Sequence, residues 1–291
     1  HAARWDQESI FPIETINQAG RIGFGAMYSS PEIGGLGLPR LDATLVFEEM
    51  AAIDPSTAAF LTIHNMATWM VGEWATPAVR EQWGKPLASG EKLASYCLTE
   101  PGSGSDAASL TSQAVLEGGN YVLNGAKAFI SGGGDTDVLI VMARTGASGP
   151  SGVSAFVVPA MLEGISFGRK ENKMGWNSQS TRAIKFENVR VPLENLLGKE
   201  GEGFKIAMRG LDGGRINIAT CSVGAAQGAL PHPGLLPAHR RHRVRGRHAG
   251  EGDRRDAGRH HLRAPGPRDR PRSRRLDGEE EAGGLLLMAT V

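Results

Sequence analysis

The chain has 291 residues, of which 40% are apolar and 22% charged, with a formal net charge of +1 at pH 7. That is length for two or three ordinary globular domains and excludes a disulfide-stapled miniprotein. No run approaches the roughly 18 uninterrupted apolar residues of a membrane span, and the opening HAARWDQESI lacks the layout of a secretion signal, so a soluble protein is expected.

Cys97 and Cys221 stand far apart, which argues against a disulfide framework and for a reducing interior compartment. The near-neutral total hides a split. Residues 1 to 227 carry 18 Lys and Arg against 23 Asp and Glu, net −5, whereas 228 to 291 carry 14 Arg, no Lys and 8 acids, net +6.

The first ninety residues read as helical. In LDATLVFEEMAAI the residues Leu41, Leu45, Val46, Met50 and Ile53 recur near the helical period, which predicts that they form the buried face, with Glu48 and Glu49 off it. Asp54-Pro55 reads as an N-cap followed by proline at the first helical position, opening a second apolar helix through Ile63 and Trp69. Thr76-Pro77 repeats the device, and Gly84 and Pro86 are expected to close that short helix, ending the bundle near Gly90. His64 is expected to be a satisfied core histidine.

From Ala94 the period changes to two. Tyr121 to Leu123 follows the Gly118-Gly119-Asn120 turn, with Asn124-Gly125 read as a second tight turn. Further strands are expected at Val138–Arg144, Val153–Val158, Ile165–Gly168 and Arg182–Val191, the last with Ala183, Lys185 and Glu187 alternating against Ile184, Phe186 and Asn188. Short strands between glycine turns suggest a small barrel or sandwich. GFKIAM, from Gly203, resumes a helix expected to reach Gln227. Beyond it, only six of the 38 residues from Ala238 to Arg275 are apolar, too few to offset chain ordering, so disorder is expected. His239 and His242 would bind metal only if helical, and the surrounding Gly and Pro argue against that.

The segment Tyr96 to Asp106, YCLTEPGSGSD, sets two glycines and two serines together, so backbone can approach an anionic ligand while amides and hydroxyls donate to it. It has neither the Gly-x-Gly-x-x-Gly register of a dinucleotide fold nor the Lys-Ser/Thr of a P-loop. By spacing alone a flexible surface turn is the better explanation.

Taken in order, however, YCLTEPGSGSD, NGAKAFISGG, GWNSQSTRAIKFENVRVP and GEGFKIAMRGLDGGRINIA resemble the acyl-CoA dehydrogenase family over residues 1 to 227. The wording is nearest to the branch that oxidises isobutyryl-CoA. The resemblance implies an α+β fold: an N-terminal helical domain at 1–93 with its start missing, a middle β-barrel at 94–198, and the start of a C-terminal helical domain at 199–227. Residues 228–291 form an atypical Arg, His, Pro and Gly-rich tail. The resemblance also implies FAD as cofactor. Tyr96, Leu98, Thr99, Gly104 and Ser105 match the loop lining the flavin, and Phe129, Ile130 and Ser131 match the second flavin segment. Phe129 replaces the tryptophan common there, keeping a planar apolar ring. Ser105, Asp212, Gly213, Gly214 and Arg215 match positions that contact the acyl-CoA, with Arg215 as the charged anchor.

The implied activity is α,β-dehydrogenation of a short branched-chain acyl-CoA, isobutyryl-CoA first, to the 2-enoyl-CoA, as in valine catabolism. An electron-transfer flavoprotein would accept the electrons. The implied location is the bacterial cytoplasm or the mitochondrial matrix. A homotetramer is expected for the family, yet is in doubt for this chain because its C-terminal bundle is not recognisable.

No catalytic residue is assigned. The family's usual base, a glutamate late in the C-terminal bundle, has no counterpart motif here, and the alternative position on the Arg215 helix is Gly214. The other reading is therefore an inactive acyl-CoA and FAD binder. The abrupt change of composition suggests that 228 to about 275 is read in a shifted frame, which resequencing the gene would test. With no aromatic ring in that basic stretch, specific nucleic-acid binding is not expected.

Overall fold

The computed structural model describes residues 1–230, so the expectations for the basic tail, its disorder and its histidines lie outside the described residues. Helices α1 (Ala2–Gln7), α2 (Ile13–Ala19), α3 (Arg40–Ile53), α4 (Pro55–Trp74), α5 (Pro77–Val79) and α6 (Lys85–Ala88) precede the sheet, and α7 (Gly203–Ala229) follows it. Asp54 caps α4, its carboxylate accepting the amides of Ser56 at 3.1 Å and Thr57 at 3.0 Å and the Thr57 hydroxyl at 2.7 Å. α4 is buried along most of its length.

Two helical expectations need correcting. Leu41, Leu45 and Ile53 are 71%, 57% and 82% exposed, while α3 buries Ala43, Thr44, Phe47 and Ala51 instead. The reason lies in the partner: α7 turns Gly224 and Gly228 toward the Glu48 and Ala52 carbonyls of α3, so the seam falls on the face that carries Ala51, and Phe47 enters the neighbouring apolar cluster. Gly84 and Pro86 do not end their helix. The chain passes through a π-helical turn at Arg80–Gly84, where Ile33 packs on Gly84, and Pro86 sits in the first turn of α6, so the stop comes at Gly90 with φ +70°.

His64 is fully buried, as expected. Nδ1 accepts the Ala94 amide at 3.1 Å, so the proton resides on Nε2, which donates to the Leu87 carbonyl at 3.0 Å. Burial, opposed by the Leu87 bond and by Asp137, pushes its pKa down to about 4.

The eight strands are β1 (Ala94–Cys97), β2 (Gln113–Glu117), β3 (Asn120–Ser131), β4 (Val138–Arg144), β5 (Val153–Pro159), β6 (Ile165–Phe167), β7 (Thr181–Pro192) and β8 (Leu196–Leu197). They hydrogen-bond in the order β6-β7-β3-β2-β4-β5-β8, with β1 parallel to β4. The path ends at β6 and β8, so the sheet is open rather than the closed barrel expected. One face packs on α4 and α7 through Val138, Ile140, Val157, Met66, Met70 and Ile206; the other encloses Tyr121, Leu139, Phe156, Ile184 and Phe186.

Asn124-Gly125 is not a turn. β3 runs through it as a bulge, because Ser112 lies against Gly125, which takes φ +146°. Across the pair, Asn188 adopts φ +53° and exchanges hydrogen bonds with Asn124 at 2.8 and 3.2 Å. The alternation of β7 slips there, so Asn188 is exposed while Val189 and Val191 are buried in the place that Ile184 and Phe186 begin.

Candidate functional site

β1 delivers the chain into Leu98, Thr99 and Glu100, and the loop then doubles back through a bridge in which the Glu100 and Ser103 backbones exchange hydrogen bonds at 2.9 and 3.1 Å. Leu98 is buried, Tyr96 and Thr99 are half-buried, and Gly104 and Ser105 are exposed. A Cβ added at Gly102 or Gly104 would meet nothing within 4 Å, so this rim faces open space.

β3 supplies the second segment. Between Lys127 and Ile130 its pairing with β7 shifts, and at that irregularity Phe129 takes φ +58° and stands 40% exposed. An aromatic residue in the left-handed region is strained by about 1 to 2 kcal/mol, which the surrounding structure must sustain. Ile130 turns into the sheet core, its carbonyl accepting the Gly133 amide at 3.1 Å, and Ser131 is half-buried.

The two segments are tied together. The Ala128 amide donates to the Thr99 carbonyl at 2.9 Å, and the Ser95 hydroxyl donates to the Ser131 carbonyl at 2.6 Å. Lys127, fully buried, donates from Nζ to the Leu98 carbonyl at 3.0 Å and to Glu100 Oε1 at 2.8 Å. Glu100 also accepts from the Ser112 amide at 3.0 Å, the Thr111 amide at 2.6 Å and the Thr111 hydroxyl at 2.8 Å. Burial acts to raise the Glu100 pKa, but the Lys127 ammonium and these donors outweigh it and hold the carboxyl down at about 2. Sequence reading missed both residues. The available signals were a lone cation within the apolar run Ala126 to Ile130 and a lone acid beside Leu98.

On α7, Asp212 and Arg215 pair at 2.9 Å with side chains 73% and 58% exposed, while Gly213 and Gly214 are buried. Arg40 lies across Gly213, its guanidinium carbon 3.6 Å from the Tyr28 ring centroid. Leu98 and Leu211 belong to the same apolar cluster between sheet and helices, which brings the start of the α7 segment and the β1 loop onto one core.

A flavin fits this donor set. The rim is open at its glycines, Phe129 offers an exposed ring, and the Tyr96 hydroxyl is buried with no hydrogen-bond partner among the described residues. Both cysteines are buried free thiols with pKa pushed up to about 12 by burial, which makes them poor redox nucleophiles. Among the described residues no cluster of side chains could hold a metal ion, and no helix is long and apolar enough to cross a membrane.

Residues 1–91 match the acyl-CoA dehydrogenase N-terminal domain and 95–189 the middle domain. The chain is 52% identical over 230 residues to mitochondrial isobutyryl-CoA dehydrogenase of Bos taurus and 53% identical over 230 residues to that of Dictyostelium discoideum, covering 79% of this chain and 55% of each relative. It thus spans about half the length of these relatives. Among solved structures, butyryl-CoA dehydrogenase from Megasphaera elsdenii superposes with a TM-score of 0.74 at 36% identity, covering 77% of this chain and 60% of that one. PigA with FAD and proline superposes with a TM-score of 0.73 at 26% identity, covering 76% and 59%.

Proposed function

Because the chain belongs to the acyl-CoA dehydrogenase family, of which it carries the N-terminal and middle domains, we propose that it binds FAD between the Tyr96–Ser105 loop and the Phe129–Ser131 segment. The protein it represents then acts as an FAD-dependent dehydrogenase of short branched-chain acyl-CoA thioesters, isobutyryl-CoA first. Supporting this reading is the bonding of the two segments to each other through Lys127, Ala128 and Ser95, which fixes them side by side next to the exposed Phe129 ring. The 52% identity to a relative named for isobutyryl-CoA supports the substrate class.

When bound, FAD supplies a hydride acceptor for the unactivated β carbon, which no side chain can be. Thr99 and Ser131 are the hydroxyl donors toward its ring system, Phe129 covers a face, and Ser105 with the Asp212–Arg215 segment of α7 binds the acyl-CoA. Removal of the α proton needs a carboxylate and donors at the thioester oxygen. Electrons then pass to an electron-transfer flavoprotein; two relatives are named as mitochondrial, which supports the mitochondrial matrix, with the bacterial cytoplasm as the other location. The position on α7 that could hold a carboxylate is Gly214, which favours a second reading in which this chain binds acyl-CoA and flavin without turning them over.

Anaerobic addition of isobutyryl-CoA to the purified chain tests both. A yellow protein whose visible absorbance bleaches supports the dehydrogenase. Spectral perturbation without bleaching supports the silent binder, and a colourless protein that takes up no FAD refutes both.

A further inference from the structure

Lys127 occupies an unusual position for a lysine: wholly buried, in mid-strand, with its ammonium on a main-chain carbonyl as well as on a carboxylate. A charge placed there would serve stability poorly, since a buried ion pair is commonly no better than apolar packing of the same volume. Its bond to the Leu98 carbonyl has a geometric consequence on the other side of the chain. The peptide joining Leu98 to Thr99 is planar and trans, so its carbonyl and the Thr99 N–H point in opposite directions. With the carbonyl held by Lys127 inside the sheet, the Thr99 amide is directed away from the core.

We propose that Lys127 is a positioning residue that aims and polarises the Thr99 amide toward the flavin, with Glu100 as the fixed anchor of its ammonium. This rests on the FAD-binding reading above. Glu100 is immobilised by the Thr111 and Ser112 donors, so the ammonium cannot swing away from Leu98. An ammonium on a peptide carbonyl draws electron density along the peptide and strengthens the N–H on its far side as a donor. A donor fixed in advance at a ring system that gains negative charge on reduction favours the reduced form more than the oxidised one. The Ala128 bond to the Thr99 carbonyl orients the next peptide in the same way, and that bond survives replacement of Lys127 because it is main chain to main chain.

The test uses the full chain with Lys127→Met, which removes the ammonium, and the double variant Lys127→Met/Glu100→Gln, which leaves no unpaired buried charge. Thermal melting reports the fold, fluorescence quenching gives the FAD dissociation constant, and dye-coupled reduction gives the midpoint potential of the bound flavin. The double variant is expected to melt near the parent, to bind FAD about tenfold more weakly, and to hold it at a more negative potential. Weaker binding with an unchanged potential would make the pair a mere tether and overturn the proposal, as would affinity and potential both equal to the parent's, or a double variant that does not fold. In those three outcomes the parent still binds FAD and the proposed function stands. A parent that binds no FAD removes both together.

Discussion

Gly224→Ala places one methyl group at a close backbone approach between α7 and α3. A Cβ built there would lie 2.1 Å from the Glu48 carbonyl oxygen and 3.0 Å from Ala51 Cβ. Ordinary contact would require α7 and α3 to part by about 1 Å, and neither obstacle is a flexible side chain that can turn aside. Overpacking of this kind costs about 1 to 3 kcal/mol. Against it stands the gain of about 1 kcal/mol from replacing glycine by alanine inside a helix. Because backbone rather than a rotamer must move, the upper part of the first range applies, leaving a net loss of about 1 to 2 kcal/mol and a melting temperature lower by roughly 3 to 8 °C. Circular dichroism melts of the full chain read this directly, with Ser222→Ala, exposed and two residues earlier in the same helix, as the control for helix propensity. Gly228→Ala, 2.0 Å from the Ala52 carbonyl but in the last turn, should lose less because that turn can fray. A Gly224→Ala chain that melts above the parent would mean that propensity alone governs α7 and that the close seam is not tight.

His64 makes stability depend on pH with a definite sign. Its pKa of about 4 lies below the 6.5 of an unfolded histidine, so below pH 6.5 the unfolded chain binds the extra proton. Its contribution is complete above pH 6.5 and is lost as pH falls toward 4, roughly 3 kcal/mol in all. Urea midpoints measured between pH 7 and 5, above the range where carboxylates titrate, should decline in the parent and flatten in His64→Gln; equal slopes would refute the assignment. For Phe129, glycine relieves the φ +58° backbone whereas alanine does not. Phe129→Gly should therefore be more stable than Phe129→Ala by about 1 kcal/mol, while both weaken FAD binding by removing the same ring. If the alanine variant is the more stable of the two, the backbone at Phe129 is not strained.

Strands β4 to β7 are legible in the sequence because their apolar runs are short and set off by turns, Val138–Arg144 with the bounds it has in β4, whereas β2 and the two-residue β8 carry too few apolar residues to stand out. Patterns failed where a neighbour's backbone, not its side chains, set the contact. The large residues of α3 suggested a buried face, yet the glycine seam of α7 lies over Glu48, Ala51 and Ala52, and Leu41 and Leu45 remain outside. Asn124-Gly125 has the composition of a turn, and only the partner strand, with Asn188 opposite, makes it a bulge. In the site, Thr99 and Phe129 stood out through the wording of whole motifs, whereas Lys127 and Glu100 are each unremarkable until the fold sets them 2.8 Å apart.

That ion pair also bears on where the chemistry can reside. Glu100 is the carboxylate within the proposed flavin loop, and it is unsuited to proton removal: its oxygens are filled by Lys127, Thr111 and Ser112, and its pKa of about 2 makes it a weak base. Asp212, the carboxylate on the α7 segment, is 73% exposed and its Oδ1 is engaged by Arg215 at 2.9 Å, so it faces solvent and a cation rather than an enclosed site. The proposed flavin site therefore depends on residues different from those that would abstract a proton. Binding and turnover are separable in this chain, and a variant that changes FAD affinity through Lys127 should do so whether or not the α proton is removed.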